Sequence, residues 1–88
     1  MVEIEILLEK EIGKDLGPRH KIEELYKSID PNTTKVTMNF QNIDFMGRSF
    51  AQEYLNQKHV APFEVIEKNV PEDVELLFNS ILKLNNRI

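Results

Sequence analysis

The feature that most constrains the fold of this chain is an alternation of apolar and polar residues in two separate segments. The alternation runs through residues 2–6 and 36–40, and a third predicted strand follows Pro62 at residues 63–67, which read FEVIE. The apolar positions of the first two segments are Val2, Ile4, Ile6, Val36, Met38 and Phe40. Because successive side chains of a β-strand point to opposite faces, each segment predicts a strand with one buried face.

An apolar stripe with helical spacing follows each predicted strand. The stripes are Ile22, Leu25, Tyr26 and Ile29, then Phe50, Ala51, Tyr54 and Leu55, then Val74, Leu77, Ile81, Leu84 and Ile88. Such spacing is typical of a helix packed on a core. The sequence therefore predicts an α/β fold in the order β-α-β-α-β-α. Crossovers that keep moving in one direction place the helices mainly on one face of the sheet.

The length of 88 residues suits one domain, so we predict a single domain over residues 1–88. Residues 11–20, EIGKDLGPRH, contain two glycines and a proline and predict a loop, with a hairpin strand near residues 9 to 13 as the alternative. The far face of the sheet is expected to be solvated and acidic. It should carry Glu3, Glu5, Thr37, Asn39 and Glu64.

Composition argues against several classes of function. A net charge of −4, with eleven basic and fifteen acidic residues, argues against nucleic-acid binding. The chain has no cysteine for disulfides, thiolate catalysis or metal sites. Its first residues carry glutamates where a signal peptide is basic, and no apolar run reaches the ~20 residues of a membrane helix. We therefore predict a cytoplasmic protein that binds neither nucleic acid nor membrane.

The stretch Gly47-Arg48-Ser49, at the start of the second predicted helix, is the most informative for function. Ser49 with Gln52 three residues later fits a capping box, so Ser49 is expected to be the N-cap, with phosphorylation or ligand binding as alternatives. Arg48 is expected to dock a protein, because arginine is favoured at interface hot spots. Anion binding at the helix N-terminus is the alternative, although neither glycine-rich phosphate-binding motif occurs.

No set of catalytic residues can be assembled from the sequence. Asp30, Asp44 and Glu53 are the carboxylates nearest the Gly-Arg-Ser stretch, and solvated positions are expected for them rather than acid–base roles. The two histidines, His20 and His59, are far apart and belong to no metal-binding motif. We therefore predict that the protein is not an enzyme and uses no metal or cofactor.

The last predicted helix follows Pro71 and has a wide apolar surface. Leu76 and Leu82 broaden its stripe beyond what one sheet face covers. Core packing is the favoured interpretation of the stripe, and a surface for a homodimer or another partner is the alternative for its outer part.

Residues 36–55, VTMNFQNIDFMGRSFAQEYL, resemble the STAS-like domain family of short prokaryotic proteins. The family pattern is a hydrophobic residue, Asp-Phe, two residues, Val, a short link and Ser-Phe-Ala-Asp-Glu. Asn39-Phe40 stand at the Asp-Phe, Ile43 stands at the Val, and residues 49–53 stand at Ser-Phe-Ala-Asp-Glu. Residues 17–29, GPRHKIEELYKSI, are similar to the upstream arginine-led helix of the family.

That family is in turn similar to the anti-anti-sigma-factor domain, a regulatory α/β module. Typical members carry Asp-Ser-Ser-Gly at the start of a helix, and a partner kinase of the GHKL ATPase type phosphorylates the first serine. The four positions are Gly47, Arg48, Ser49 and Phe50 in this chain. Phosphorylation adds about two negative charges, and a permanent arginine cannot be switched in this way. Ser49 is the serine that remains as a candidate modification site.

The residues and the resemblance together predict a non-catalytic regulatory module that docks a protein partner through residues 44–53. The resemblance implies an ATPase or kinase of the GHKL type as that partner. The predicted binding residues are Asp44, Gly47, Arg48, Ser49, Gln52 and Glu53. Gly47 is expected to let the backbone of the partner approach. The alternative is a small-ligand or nucleotide-binding domain that uses the helix N-terminus at residues 47–49.

Overall fold

A computed structural model describes the backbone of residues 2–85 and the side chains of residues 2–83. The strands in this part of the chain are β1 (Glu3–Leu7), β2 (Asp15–Leu16), β3 (Lys35–Asn39), β4 (Phe45–Met46) and β5 (Glu64–Lys68). The helices are α1 (Leu8–Glu11), α2 (Arg19–Ser28), α3 (Arg48–Val60) and α4 (Glu72–Asn85). Within residues 2–85, no helix is both long enough and apolar enough to cross a membrane.

Strands β1, β3 and β5 form a parallel three-stranded sheet in that order. Ile4 of β1, Val36 of β3 and Val65 of β5 are aligned across it. Parallel neighbours need a long connection, and α2 and α3 supply it between successive strands of the sheet. The predicted order β-α-β-α-β-α is confirmed by β1, α2, β3, α3, β5 and α4.

The core lies between one face of this sheet and the three long helices. Val36 and Met38 of the central strand are fully buried. The helices and the C-cap of α2, Ile29, contribute Ile22, Leu25, Tyr26, Ile29, Phe50, Ala51, Tyr54, Val74, Phe78 and Ile81 to the same cluster. The predicted stripes of α2 and α3 are confirmed, although Leu55 is only partly buried. In the α4 stripe, the side chain of Leu84 and the whole of Ile88 lie outside the described residues.

The segment between β1 and α2 differs from the prediction. The alternative prediction of a hairpin strand near residues 9 to 13 is wrong. Strand β1 runs directly into the helical turn α1, and β2 then pairs with β4. Leu8 follows another leucine, breaks the alternation of β1 and is fully buried. The N–H of Ile12 donates to the carbonyl oxygen of Leu8 at 2.9 Å. Gly13 then leaves the turn with a φ of 132°, a conformation that glycine adopts at little cost.

Glu3, Glu5 and Glu64 are exposed on the far face of the sheet as predicted, and Thr37 is half-buried there, as are Leu7 and Ile66. Asn39 is the exception, since it is only 5% exposed. Its side-chain nitrogen donates to the Glu5 carboxylate at 2.9 Å, and its side-chain oxygen accepts from the Asn69 amide at 3.0 Å. Asn39 is buried because its side chain joins β1, β3 and the residue that follows β5.

Candidate functional site

The two-stranded sheet of β2 and β4 brings the starts of α2 and α3 together. Asp15 pairs with Phe45 and Leu16 pairs with Met46 in a parallel ladder. One further hydrogen bond extends this ladder, in which the N–H of Gly47 donates to the carbonyl oxygen of Leu16 at 2.8 Å. A helix follows each strand within one or two residues, so α2 and α3 begin side by side.

Gly47, and not Ser49, is the N-cap of α3. Gly47 is extended, with φ −75° and ψ 155°, and its carbonyl oxygen accepts the N–H of Ala51 at 3.0 Å. Ser49 lies inside the first turn and is exposed, and α3 has no side-chain cap. The predicted capping box of Ser49 and Gln52 is therefore wrong. The reason is tertiary: the bond to Leu16 holds Gly47 extended, so the helix begins one residue before the serine.

Gly47 also packs against its own chain. A Cβ atom at this position would lie 3.6 Å from the carbonyl oxygens of Leu16 and Gly17 and 3.6 Å from the Phe45 ring. These are ordinary van der Waals distances, so close packing does not demand a glycine here. The Cβ side of Gly47 is nevertheless occupied by the chain itself, and a partner backbone would have to approach from another direction.

Arg19 and Arg48 are the first residues of α2 and α3, and both line one concavity of about 250 Å3. The other lining residues are Ser49, Gln52, Glu53 and Asn56. We call this surface the arginine concavity. Both arginines are exposed, and neither forms an ion pair with a carboxylate of the described residues. The first turns of α2 and α3 contain no acidic residue. Two helix N-termini and two arginines therefore present positive charge on one surface.

The arginine concavity contrasts with the start of α4 and with the chain as a whole. The net charge of the chain is −4, and the first turn of α4 contains Glu72, Asp73 and Glu75. Acidic residues near a helix N-terminus are stabilising, whereas basic residues there oppose the helix dipole. Arg19 and Arg48 therefore do not stabilise their helices in the free chain. An anionic group from outside the chain would complement both arginines.

The structure brings most of the predicted site residues together. Four of them line the arginine concavity, namely Arg48, Ser49, Gln52 and Glu53. Gly47 lies at its edge as the N-cap of α3. Asp44 lies apart, in a groove of about 400 Å3 that is also lined by Phe45 of β4 and by Pro71 and Asp73 near the start of α4. Asp44 therefore does not share the concavity with Arg48.

Arg19 and Asn56 belong to the concavity but were not among the predicted site residues. The sequence contains a signal for Arg19, because an apolar residue, a glycine and an arginine occur in this order where both helices begin. The two stretches are Leu16-Gly17-Pro18-Arg19 and Met46-Gly47-Arg48. Asn56 follows Arg48 and Gln52 at a spacing of four residues, which is the signature of a shared helix face. What the sequence lacks is a sign that the two helix starts are neighbours.

Glu53 forms a hydrogen bond on its own helix. Its carboxylate accepts from the side-chain amide of Gln57 at 2.7 Å, and the residue is half-buried. It was predicted to lie on the outer, solvated face of α3, and its place in the concavity agrees with that face. As the acidic residue of the concavity, Glu53 reduces the positive potential near Arg48 without pairing with it.

A second polar cluster lies towards the other end of α3 and is satisfied internally. The Tyr54 hydroxyl donates to Oε2 of Glu67 at 2.7 Å, and Nζ of Lys58 donates to Oε1 of the same carboxylate at 3.0 Å. Tyr54 is fully buried. Burial, together with nearby Tyr26 and Glu67, raises the pKa of the Tyr54 hydroxyl far above its ordinary value. Tyr54 therefore stays protonated as a hydrogen-bond donor, and the cluster joins α3 to β5.

Tyr26 lies next to this cluster, and its hydroxyl is near that of Tyr54 without reaching hydrogen-bond geometry. Its hydroxyl is buried and has no hydrogen-bond partner among the described residues. Burial, with a smaller effect of Glu67, raises the pKa of the Tyr26 hydroxyl. A buried hydroxyl without a partner costs about 1–3 kcal/mol. The ring offsets this cost by stacking on Phe63 at 6.2 Å and meeting Tyr54 edge to face at 6.1 Å between centroids.

The apolar surface of α4 extends beyond the core. Leu76 and Leu82 are 61% and 45% exposed. Leu82 lines a groove of about 330 Å3 between α3 and α4, with Leu55 and Phe78. This agrees with the outer part of the stripe being free of the core, and a homodimer or partner surface at this place stays a prediction.

The described side chains contain no group of three His, Cys, Asp or Glu residues arranged to hold a metal ion. Comparison of the chain with models of protein families, with curated proteins and with solved structures finds no match. The resemblance to STAS-like domains therefore stays a prediction from the residues that carry it.

Proposed function

We propose that this protein is a non-catalytic regulatory module of the STAS-like type that binds a protein partner through the arginine concavity. The observation that carries the proposal is the pair of exposed arginines, Arg19 and Arg48, at adjoining helix starts without a carboxylate partner among the described residues. Arginine is enriched among residues that dominate interface energies, because its guanidinium forms paired hydrogen bonds with carboxylates. An acidic segment of the partner supplies the complementary charge.

An ATPase or kinase of the GHKL type is the partner that the resemblance favours. In anti-anti-sigma-factor domains such a kinase acts at the start of the helix that corresponds to α3. The switching serine of those domains is Arg48 here. Binding in this chain therefore relies on a permanent charge at that position and does not wait for phosphorylation there.

Ser49 is the point at which the same surface is regulated. It is exposed and lines the concavity with both arginines. A phosphate on Ser49 adds about two negative charges and occupies the arginines, so it competes with an acidic partner. Ser49→Asp is expected to weaken partner binding, and Ser49→Ala is expected to leave it unchanged because Ser49 is not the helix cap. Equal partner capture by both variants argues against this regulation.

A small anionic ligand is the alternative occupant of the concavity. Ligand sites usually have volumes of about 300–1,000 Å3 and mostly apolar linings, whereas this concavity measures about 250 Å3 and is lined by polar residues. These properties favour a protein partner. A thermal-shift panel of nucleotides and inorganic phosphate separates the two cases. A ligand present at a hundred times its Kd adds about 2.7 kcal/mol of stability, and a shift that Arg48→Glu removes would favour the ligand.

Site-specific crosslinking in cells of the native host tests the proposal directly. A photo-crosslinking side chain replaces Gln52, which is exposed in the concavity, and a matched control replaces His59, which is exposed in the last turn of the same helix. The expected result is a discrete protein adduct from position 52 and none from position 59. Adducts of equal yield from both positions, or none from either, would overturn the proposal.

A further inference from the structure

The outer edge of β1 is an unpaired strand edge. Strand β1 is the first strand of the sheet and pairs only with β3 in the described part of the chain. The carbonyl oxygen of Val2 accepts the N–H of Thr34 at 2.8 Å, so even-numbered residues of this strand direct their backbone groups towards β3. Backbone groups of neighbouring residues in a strand face opposite sides. The outward-facing groups belong to Glu3, Glu5 and Leu7.

The helix layer leaves this edge partly open. Ile4 and Ile6 are aligned with Val36 and Met38 of β3, yet the residues of β3 are fully buried and those of β1 only partly. A groove of about 280 Å3 runs beside β1 on the helix side. Its apolar lining consists of Val2, Ile4, Ile6, Leu25 and Ile29. A strand added to β1 would bury these aliphatic side chains against its own apolar residues.

Carboxylates outnumber basic residues along the same edge. Glu3 and Glu5 are exposed on the far face of the sheet, and Glu11 and Asp30 line the groove on the helix side. The Glu5 carboxylate also accepts the Asn39 amide at 2.9 Å and lies 3.8 Å from Nζ of Lys68, so Glu3, Glu11 and Asp30 are the carboxylates that an added strand meets unpaired in the described part of the chain. Opposite charges on neighbouring strands stabilise the strand pair, and like charges destabilise it. An added strand is therefore complementary when it carries Lys or Arg beside the glutamates and apolar residues beside the isoleucines of β1.

The opposite edge of the sheet, at β5, does not offer the same surface. Both β1 and β5 contain five residues, so their side chains make the difference. Glu67 of β5 points to the helix side, where Tyr54 and Lys58 hold its carboxylate. An inward-pointing charged residue is one of the ways in which proteins prevent strand addition at a sheet edge.

A second copy of this chain is a poor match for the β1 edge. With both helix layers on the same side, the antiparallel register that pairs all five residues of β1 places Glu5 opposite Glu5 of the other copy. If the register of the two β1 strands shifts by two residues towards the N-terminus, Glu3 of each copy lies opposite Glu5 of the other. If it shifts by two residues towards the C-terminus, only residues 5–7 of the two copies pair. Like charges directly opposite each other destabilise strand pairing. The edge therefore favours a basic strand over its own.

We propose that the outer edge of β1 binds an extended segment of another protein in which apolar residues alternate with Lys or Arg. The added strand pairs with the outward backbone groups of β1, inserts its apolar side chains into the groove and places its basic side chains beside Glu3 and Glu5. This surface is separate from the arginine concavity, so the proposal stands or falls independently of the function proposed for that site.

A synthetic peptide, Gly-Ser-Ile-Lys-Ile-Lys-Ile-Gly-Ser, is the probe for this test. Amide hydrogen exchange of the full chain, followed by NMR at millimolar peptide, is expected to slow at the outward amides of Glu3, Glu5 and Leu7. The outward amides of Val65 and Glu67 on β5 serve as internal controls and should not change. The same peptide with Glu in place of Lys is expected to give no protection.

Charge reversal on the two sheet edges gives a matched pair of variants. Glu3 and Glu64 lie on either side of Lys35 in the sheet register and are both exposed. Glu3→Lys is expected to weaken peptide binding about three- to tenfold, as replacing an attractive cross-strand pair with a repulsive one predicts. Glu64→Lys is expected to leave binding unchanged. Two peptides that are N-methylated at alternate residues complete the test. Binding should be lost when the methylated amides are those that face β1, and it should be preserved when they are those that face away.

Four results would overturn the proposal. The first is the absence of slowed exchange at the β1 amides with the lysine peptide. The second is equal protection by the glutamate peptide, and the third is an equal loss of binding in Glu3→Lys and Glu64→Lys. The fourth is protection of the β1 amides that rises with protein concentration when no peptide is present, since this would identify a second copy as the occupant.

Discussion

The two ends of α3 differ in whether their basic side chains are paired with a carboxylate. Near its end, Lys58 lies 3.0 Å from the Glu67 carboxylate, which also accepts the Tyr54 hydroxyl at 2.7 Å. At its start, Arg48 is exposed, has no carboxylate partner among the described residues and opposes the helix dipole beside Arg19. A charge that is paired within the protein is costly to leave without its partner, whereas an unpaired charge at a surface is available to a partner. Substitutions at the two ends should therefore change different properties.

Alkaline pH should have the largest effect, at the Tyr54 end. Burial raises the pKa of both Tyr26 and Tyr54 above the ordinary value of about 10. Below pH 10 the hydroxyls are protonated in the folded and unfolded states, so their contribution is constant. Above pH 10 the unfolded chain releases protons that the folded chain retains, and stability falls. We expect a loss of about 1.4 kcal/mol per tyrosine at pH 11.

Urea unfolding between pH 8 and pH 11 measures this loss, with Tyr54→Phe and Tyr26→Phe as controls. Each variant should lose one tyrosine's share of the pH dependence. A pH dependence that is identical in the wild type and in both variants would show that neither phenol is held protonated by the fold.

Removal of the Tyr54 hydroxyl should have the next largest effect. Tyr54→Phe deletes a buried hydrogen bond to the Glu67 carboxylate, and a bond to a charged group is worth about 1.5–3 kcal/mol. Tyr26→Phe is the matched control, because it removes a buried hydroxyl that has no partner among the described residues. We expect its stability to be unchanged or higher at neutral pH. Urea unfolding at pH 7 measures both, and an equal loss in the two variants would contradict the comparison.

Charge reversal at the start of α3 should have the smallest effect on stability, and with the opposite sign. Arg48→Glu places a carboxylate where the helix dipole favours one, so we expect the free protein to gain about 0.3–1 kcal/mol. Lys27→Glu in the last turn of α2 makes the same charge change at a helix C-terminus, where a loss of similar size is expected. A loss of stability in Arg48→Glu would mean that Arg48 stabilises the folded protein in the absence of a partner.

The elements with long periodic patterns could be predicted from the sequence. The one-sided alternation of β1 and β3 and the stripe of α2 contain enough residues to fix both element type and buried face. Strands β2 and β4 have two residues each, too few to show any period, so their pairing is decided by tertiary structure. That pairing holds Gly47 extended and makes it the N-cap of α3, which is why the capping box of Ser49 was wrong.

The candidate site was predictable to the extent that it lies on one helix. Arg48, Gln52 and Asn56 share a face of α3 by simple spacing. Arg19 lies 29 positions earlier and joins them only through the β2–β4 ladder. Asp44 illustrates the converse, because it is close to Arg48 in sequence but lines the groove at the start of α4 and not the arginine concavity.

Affinity capture from a lysate of the native host tests the proposal that Arg19 and Arg48 dock a protein partner. The wild type, Arg19→Glu, Arg48→Glu and the control Lys27→Glu are immobilised in parallel, and retained proteins are quantified by mass spectrometry. We predict a protein that the wild type and Lys27→Glu retain and that both arginine variants lose by at least tenfold, although Arg48→Glu is the more stable chain. Equal retention by all four chains, or no specific retention by the wild type, would show that the two arginines do not dock a partner.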